Sequence, residues 1–306
     1  MPLNNQKTIS KPSYLKGVGL HTGQTVNLAL LPGKLDSGIV FKRKDLKENN
    51  LIFANYNNVT PSILCTKIQN ENSVSVSTIE HLMAAIYGEE IDNLLIEVDG
   101  PEIPIMDGSA RDFVKSIRES GIENLKGDRK YIKVLKKITV KQGDKFISIE
   151  PFDKLKIDFE IVYNNPIIKK QREIFQHSKS DLEPFYNSRT FCLFEDVEKI
   201  KEKGLAKGGS LENAVVVKDD EILNKEGLRY KNEFVMHKIL DSLGDLMLCG
   251  NRIKGSIVCS QGGHQLTYEL IKKIFSNKEN WTLENQVLNK LQPNKKTFPD
   301  RIAISA

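Results

Sequence analysis

Val74-Ser75-Val76-Ser77-Thr78-Ile79-Glu80-His81-Leu82-Met83-Ala84-Ala85-Ile86-Tyr87-Gly88 changes its apolar period midway. Val74 and Val76 alternate with serines, the two-residue period of a strand with one buried face. From Ile79 the apolar residues fall at Leu82, Met83 and Ile86, the spacing of a helix face, and Gly88 closes the run. Before this stretch Val26-Asn27-Leu28-Ala29-Leu30 alternates, Gly33 and Asp36-Ser37-Gly38 mark turns, and Ile39-Val40-Phe41 resumes an apolar run. After it Leu94-Leu95-Ile96-Glu97-Val98 reads as a strand, Asp99 to Pro104 is rich in turn residues, and a second helix begins beyond Asp107-Gly108-Ser109.

The same order returns downstream. Tyr131 to Val134, Phe146 to Ile149 and Lys156 to Ile161 read as strands, and a helix passes through Val197 and Ile200. Gly204-Leu205-Ala206-Lys207-Gly208-Gly209 reads as flexible, Ala214 to Val217 as a short strand, and a long helix runs from about Asn232 to Leu248. Gly121 to Arg129 carries Gly, Asn, Lys and Asp with little apolar content, so a domain boundary is expected there. The expectation is an α+β protein with an N-terminal domain over 1–126 and a C-terminal domain over 130–306, similar in element order. No residue-level internal repeat is visible.

With 306 residues the chain is long enough for one large domain or two ordinary ones. Its 39% hydrophobic and 28% charged residues are those of a globular protein with a sizeable core. No stretch of about 18 apolar residues predicts a transmembrane helix, and the N-terminus lacks the apolar run of a secretory signal. The four cysteines, Cys65, Cys192, Cys249 and Cys259, have no C-x-x-C spacing and are expected to remain thiols. The net charge of +5 is spread among acids, without a basic run or interleaved aromatics, so no nucleic-acid partner is expected. A mild positive bias suits an anionic small molecule or the inner face of a membrane.

Chemistry concentrates in His237-Lys238-Ile239-Leu240-Asp241-Ser242-Leu243-Gly244-Asp245. On a helix His237, Asp241 and Asp245 share one face, one turn apart. An imidazole and a carboxylate so placed can hold one metal ion, and a catalytic zinc uses three protein ligands with a fourth position open. Among five histidines, His81 is the best third ligand, because Glu80 stands beside it and could take a proton from water. Two plainer readings stand beside these. His-x3-Asp also suits a solvated or capping arrangement, and Ser77-x-x-Glu80 also fits a capping box. His264 follows two glycines, where a bent backbone can expose an imidazole able to donate a proton; it is otherwise a surface-loop residue. Asp245 could hold that imidazole charged, or be an exposed helix carboxylate. His177, in a polar stretch, reads as solvated surface.

These residues lie within a wider likeness. The chain resembles the zinc-dependent UDP-3-O-acyl-N-acetylglucosamine deacetylases, which perform the committed step of lipid A synthesis in Gram-negative bacteria. The matching stretches are Gly17-Val18-Gly19-Leu20-His21-Thr22-Gly23, Ser77-Thr78-Ile79-Glu80-His81-Leu82-Met83 and Pro101-Glu102-Ile103-Pro104-Ile105-Met106-Asp107-Gly108-Ser109. Further on they are Ser188-Arg189-Thr190-Phe191, Gly208-Gly209-Ser210-Leu211-Glu212-Asn213-Ala214, His237-Lys238-Ile239-Leu240-Asp241 and Gly262-Gly263-His264. They span nearly the whole chain in the family's order; beyond about Lys272 nothing carries over.

The resemblance implies two α+β domains, each layering a sheet against a helix pair, with the active site between them. It makes His81, His237 and Asp241 the ligands of one Zn²⁺ per chain. Glu80 becomes the general base and His264 the general acid, with Asp245 behind it. Thr190 is implied to hold the oxyanion and Lys238 to line the sugar-nucleotide side. Lys145 and Tyr163 match positions that meet the uridine diphosphate. Leu20 and Phe191, with an insert at about 193–217, are implied to line a passage for the acyl chain, and His21 lies in the same matching motif. Core packing is the plainer alternative for Phe191, Phe194, Val197 and Ile200. The implied reaction is hydrolysis of the N-acetyl group of UDP-3-O-(3-hydroxyacyl)-N-acetylglucosamine to acetate and the free amine. The protein is expected in the cytoplasm as a monomer, with peripheral contact to the inner membrane. A zinc amidohydrolase for another acylated sugar needs neither passage nor uridine-side residues, and a non-catalytic zinc-stabilised binding protein needs no flanking acid and base.

Overall fold

The computed structural model describes residues 5–285. The first half is organised on a five-stranded sheet, in the order Ser13–Val18, Thr25–Pro32, Leu94–Val98, Ile39–Arg43, Leu51–Phe53. Its pairs are antiparallel except Ile39–Arg43 with Leu94–Val98. The alternation read from the sequence is physical: Val26, Leu28 and Leu30 are buried while Thr25 and Asn27 are exposed. Helices α1 (Glu80–Gly88) and α2 (Arg111–Glu119) belong to this half. In the second half a seven-stranded sheet is built around Arg252–Ser260, which pairs with Lys130–Val134, Lys145–Glu150 and Leu155–Val162. Short helices α3 (Glu183–Tyr186) and α4 (Phe194–Glu202) precede the long α5 (Glu233–Leu246), and α6 (His264–Phe275) follows the central strand. The architecture is the α+β arrangement expected.

α1 and α5 pack directly against each other. Every α1 residue from Glu80 to Tyr87 is buried, which explains why this helix carries so little polar surface. The contact requires glycine at one point. A Cβ at Gly244 of α5 would lie 2.0 Å from the Glu80 carbonyl oxygen, on rigid backbone. Helix propensity alone favours alanine there by about 1 kcal/mol, but overpacking a core costs about 1–3 kcal/mol. Gly244→Ala is therefore expected to lower the thermal unfolding temperature; a raised one would contradict the close approach.

The segment 121–129, where a domain boundary is expected, contains a strand: Ile122–Asp128 pairs antiparallel with Asn5–Ile9. Most of its side chains are at least partly exposed, so backbone hydrogen bonding, to which apolar content is blind, makes the ribbon. Arg129 at its end is buried because Asp92 accepts from its Nε and Nη2 at 2.8 Å and 2.7 Å. Residues 204–209 are pinned rather than free. Gly208 N–H donates to Leu20 O at 3.0 Å, and a Cβ on Gly208 would lie 2.4 Å from Gly19 O. Here glycine serves close approach. The expected C-terminal domain includes residues 286–306, which lie outside the described residues, as do 1–4. No helix among the described residues is long and apolar enough to cross a membrane.

Candidate active site

The α1–α5 contact brings together side chains far apart in sequence. His81 is the second residue of α1, and His237 and Asp241 stand one turn apart on α5. One ligand atom from each lies within 4.8 Å of the others, and all three residues are buried. Asp241 Oδ1 is 3.2 Å from His237 Nε2 and 3.5 Å from His81 Nε2, yet has no hydrogen-bond donor. His237 Nδ1 lies 3.0 Å from Ser188 O. A carbonyl only accepts, so Nδ1 carries the proton and Nε2 turns a lone pair towards Asp241. Burial pushes the His237 pKa down to about 3, against the pull of Asp241, so the ring is neutral. An orphaned buried carboxylate oxygen facing imidazole nitrogens is costly alone and suits a bound cation. Two nitrogens and one oxygen are a donor set that fits Zn²⁺.

A second cluster flanks this triad. The Ser77–Glu80 capping box does not form: Ser77 N–H donates to Pro101 O at 3.0 Å, and Glu80 Oε2 instead accepts from Thr66 N–H at 3.0 Å. Glu80 Oε1 is 3.7 Å from Nε2 of His264, the first residue of α6. His264 Nδ1 is 2.7 Å from Asp245 Oδ2, while Thr66 Oγ1 donates to Asp245 Oδ1 at 2.6 Å. Asp245 is buried, not the exposed carboxylate of its plainer reading, and His264 is tied into this cluster rather than free on a surface loop. Burial raises the Glu80 pKa, partly offset by His264 and His81. Burial acts to lower that of His264, but Asp245, followed by Glu80 and Asp241, lifts it to about 10. A buried acceptor and a charged imidazole thus stand side by side.

The other expected residues divide into near and far. Lys238 Nζ donates to Asp241 Oδ2 at 2.9 Å and lies 5.7 Å from the Phe191 ring centre. Burial disfavours its charge, yet Asp241 raises its pKa. Phe191 meets Tyr163 at 5.7 Å and His237 at 6.5 Å between ring centres, so Phe191 reaches the centre's edge and Tyr163 packs against Phe191. Thr190 lies in the same segment, with its N–H bonded to Gly108 O and its carbonyl to Val215 N–H. Lys145 is exposed and lines a cleft with Gln142, Gln261 and His264. Leu20 is half-buried against Gly209. His21 is buried; its Nδ1 accepts from Ala206 N–H at 3.4 Å, which ties the insert to the first half. His177 is not solvated surface: it is half-buried, edge-on to Tyr87, and 3.8 Å from Glu90.

Sequence reasoning missed Thr66, Ser188 and Glu102. Thr66 bonds Glu80 and Asp245 and lies 3.1 Å from His264 Nδ1. Ser188 acts through its backbone carbonyl, which no side-chain pattern reveals. Glu102, fully buried, accepts from His21 N–H, Thr22 N–H and the hydroxyls of Thr22 and Thr78, so it fixes the loop beside α1. The one available signal was a carboxylate between apolar neighbours and prolines in Pro101-Glu102-Ile103-Pro104.

Residues 6–276 match the sequence profile of the family described as UDP-3-O-acyl N-acetylglycosamine deacetylase. Relatives named UDP-3-O-acyl-N-acetylglucosamine deacetylase occur in several bacteria. That of a Geobacter species is 44% identical over 279 residues, 91% of each chain. That of Haemophilus ducreyi is 40% identical over 280 residues, 90% of this chain and 92% of the relative. That of Vibrio vulnificus is 40% identical over 288 residues, 92% of this chain and 94% of the relative.

Proposed function

The chain belongs to the UDP-3-O-acyl N-acetylglycosamine deacetylase family, and from that premise we propose how its residues perform the reaction. It is a deacetylase of lipid A biosynthesis, removing acetate from a UDP-3-O-acyl-N-acetylglucosamine. Zn²⁺ held by His81, His237 and Asp241 would supply Lewis-acid chemistry, polarising the amide carbonyl and acidifying water. Glu80 accepts the proton of the attacking water as its oxygen bonds to the carbonyl carbon. His264 Nε2 donates a proton to the amide nitrogen as the C–N bond breaks, so acetate and a free amine leave. Asp245 keeps the imidazole charged, and Thr66 holds Asp245. Thr190 hydrogen-bonds the developing oxyanion, and Lys238, Lys145 and Tyr163 face the sugar nucleotide.

The observation that carries this reading is the 3.7 Å approach of Glu80 to His264 beside a three-acceptor centre. A closed structural zinc site has no need of a buried base and a charged imidazole. If Asp245 sustains the His264 charge, removing its carboxylate lowers the imidazole pKa, and the proton is lost at lower pH. Asp245→Asn is expected to move the alkaline limb of kcat/KM down by about 1–3 units. An unmoved limb would take the acid role from His264.

The acyl chain is assigned to the insert because the apolar residues of α4 and of the loop after it are not core, although Val215 and Val217 at the insert's end are. No residue of α4 is buried, and Phe194 and Leu211 are 43% and 45% exposed. Each CH₂ covered there contributes up to about 0.8 kcal/mol. Binding energy from this remote chain serves the reacting amide. UDP-N-acetylglucosamine without the acyl group should therefore lose at least ~100-fold in kcat/KM. Equal acetate release from both substrates would mean that the insert does not recognise the chain.

A further inference from the structure

We propose that Glu233 is a positioning residue for the metal centre, fixing the orientation and tautomer of His237 through the Ser188–Arg189 peptide. The inference rests on His81, His237 and Asp241 being the metal ligands. Glu233 opens α5, is fully buried, and stands one turn before His237. Its Oε1 accepts the Arg189 backbone N–H at 3.0 Å and Arg189 Nε at 2.8 Å. Its Oε2 accepts from Arg229 N–H at 2.7 Å and lies 3.2 Å from Arg189 Nη2. The carbonyl of the same peptide unit is Ser188 O, 3.0 Å from His237 Nδ1. One peptide group is thus held at its N–H by Glu233 and holds His237 at its oxygen, with both side chains on α5.

The rest of the segment has little freedom to drift. Arg189 is buried, and its Nη1 and Nη2 donate to Glu226 Oε1 at 2.6 Å and Gly227 O at 2.7 Å. A buried charged pair gives little net stability over packed apolar residues, so its presence here calls for another use. Partners behind a metal-bound histidine set its tautomer, and losing one weakens metal binding about 10–100-fold. A carboxylate at a helix start also stabilises the helix, and that role predicts only a lower unfolding temperature.

The two roles separate in the metal-free protein. Zinc affinity is measured by competition with a chromophoric chelator, at a temperature where circular dichroism shows each variant folded. Glu233→Gln should bind zinc about 10–100-fold more weakly and shift the visible bands of the Co²⁺-substituted protein. Unchanged zinc affinity and Co²⁺ bands in Glu233→Gln, with only a lowered unfolding temperature, would overturn the proposal. If Glu233→Gln does not fold, Glu233→Asp keeps a charge opposite Arg189 but withdraws it from the peptide. The same weakening is expected, and the same unchanged affinity would overturn it. Absence of zinc binding by the unaltered protein would instead sink the ligand assignment itself.

Discussion

His237→Ala should lose its bound zinc and at least about 10³-fold of its deacetylase rate, since metal polarisation contributes several kcal/mol and each 1.36 kcal/mol is tenfold. The substitution takes one of three converging acceptors from a site that has no fourth among the described residues. Because burial keeps the imidazole neutral, the change removes no charge and leaves the Asp241–Lys238 pair in place. Loss of metal would then reflect lost coordination rather than collapse of the local electrostatics. Metal analysis of the folded variant checks this directly. Full zinc occupancy, with or without activity, would remove His237 from the ligand set.

Glu80→Ala should keep its zinc and fall about 10²–10⁴-fold in rate, the range for removing a positioned general base. Glu80 is outside the acceptor triad, and its carboxylate faces Thr66 N–H and His264. The base must be ionised to act, and burial raises its pKa, so activity of the unaltered protein falls as pH drops through that value. The acidic limb of kcat/KM should disappear in the variant. A fully active Glu80→Ala protein would leave the proton transfer to another group.

His81, His237 and Asp241 were legible because helical periodicity places the last two on one face and the scarcity of histidines narrowed the third. The strands were legible where one face is buried, as at Val26, Leu28 and Leu30. The strand Ile122–Asp128 was not, because its partner lies far back at Asn5–Ile9 and its side chains carry no burial signal. Thr66 and Ser188 were invisible for a related reason: their roles exist only once α1, α5 and α6 have met. Nothing in the helical pattern marks Gly244, and only the 2.0 Å that would separate an added Cβ from Glu80 O gives it a task. The capping-box reading of Glu80 failed because its carboxylate turns to Thr66 rather than to Ser77.

The most direct test is acetate release from UDP-3-O-acyl-N-acetylglucosamine by chelator-treated protein to which Zn²⁺ is returned in measured amounts. The expected result is loss of release on chelation and recovery that saturates at one zinc per chain. Undiminished release by protein shown to be metal-free would contradict a catalytic metal at His81, His237 and Asp241.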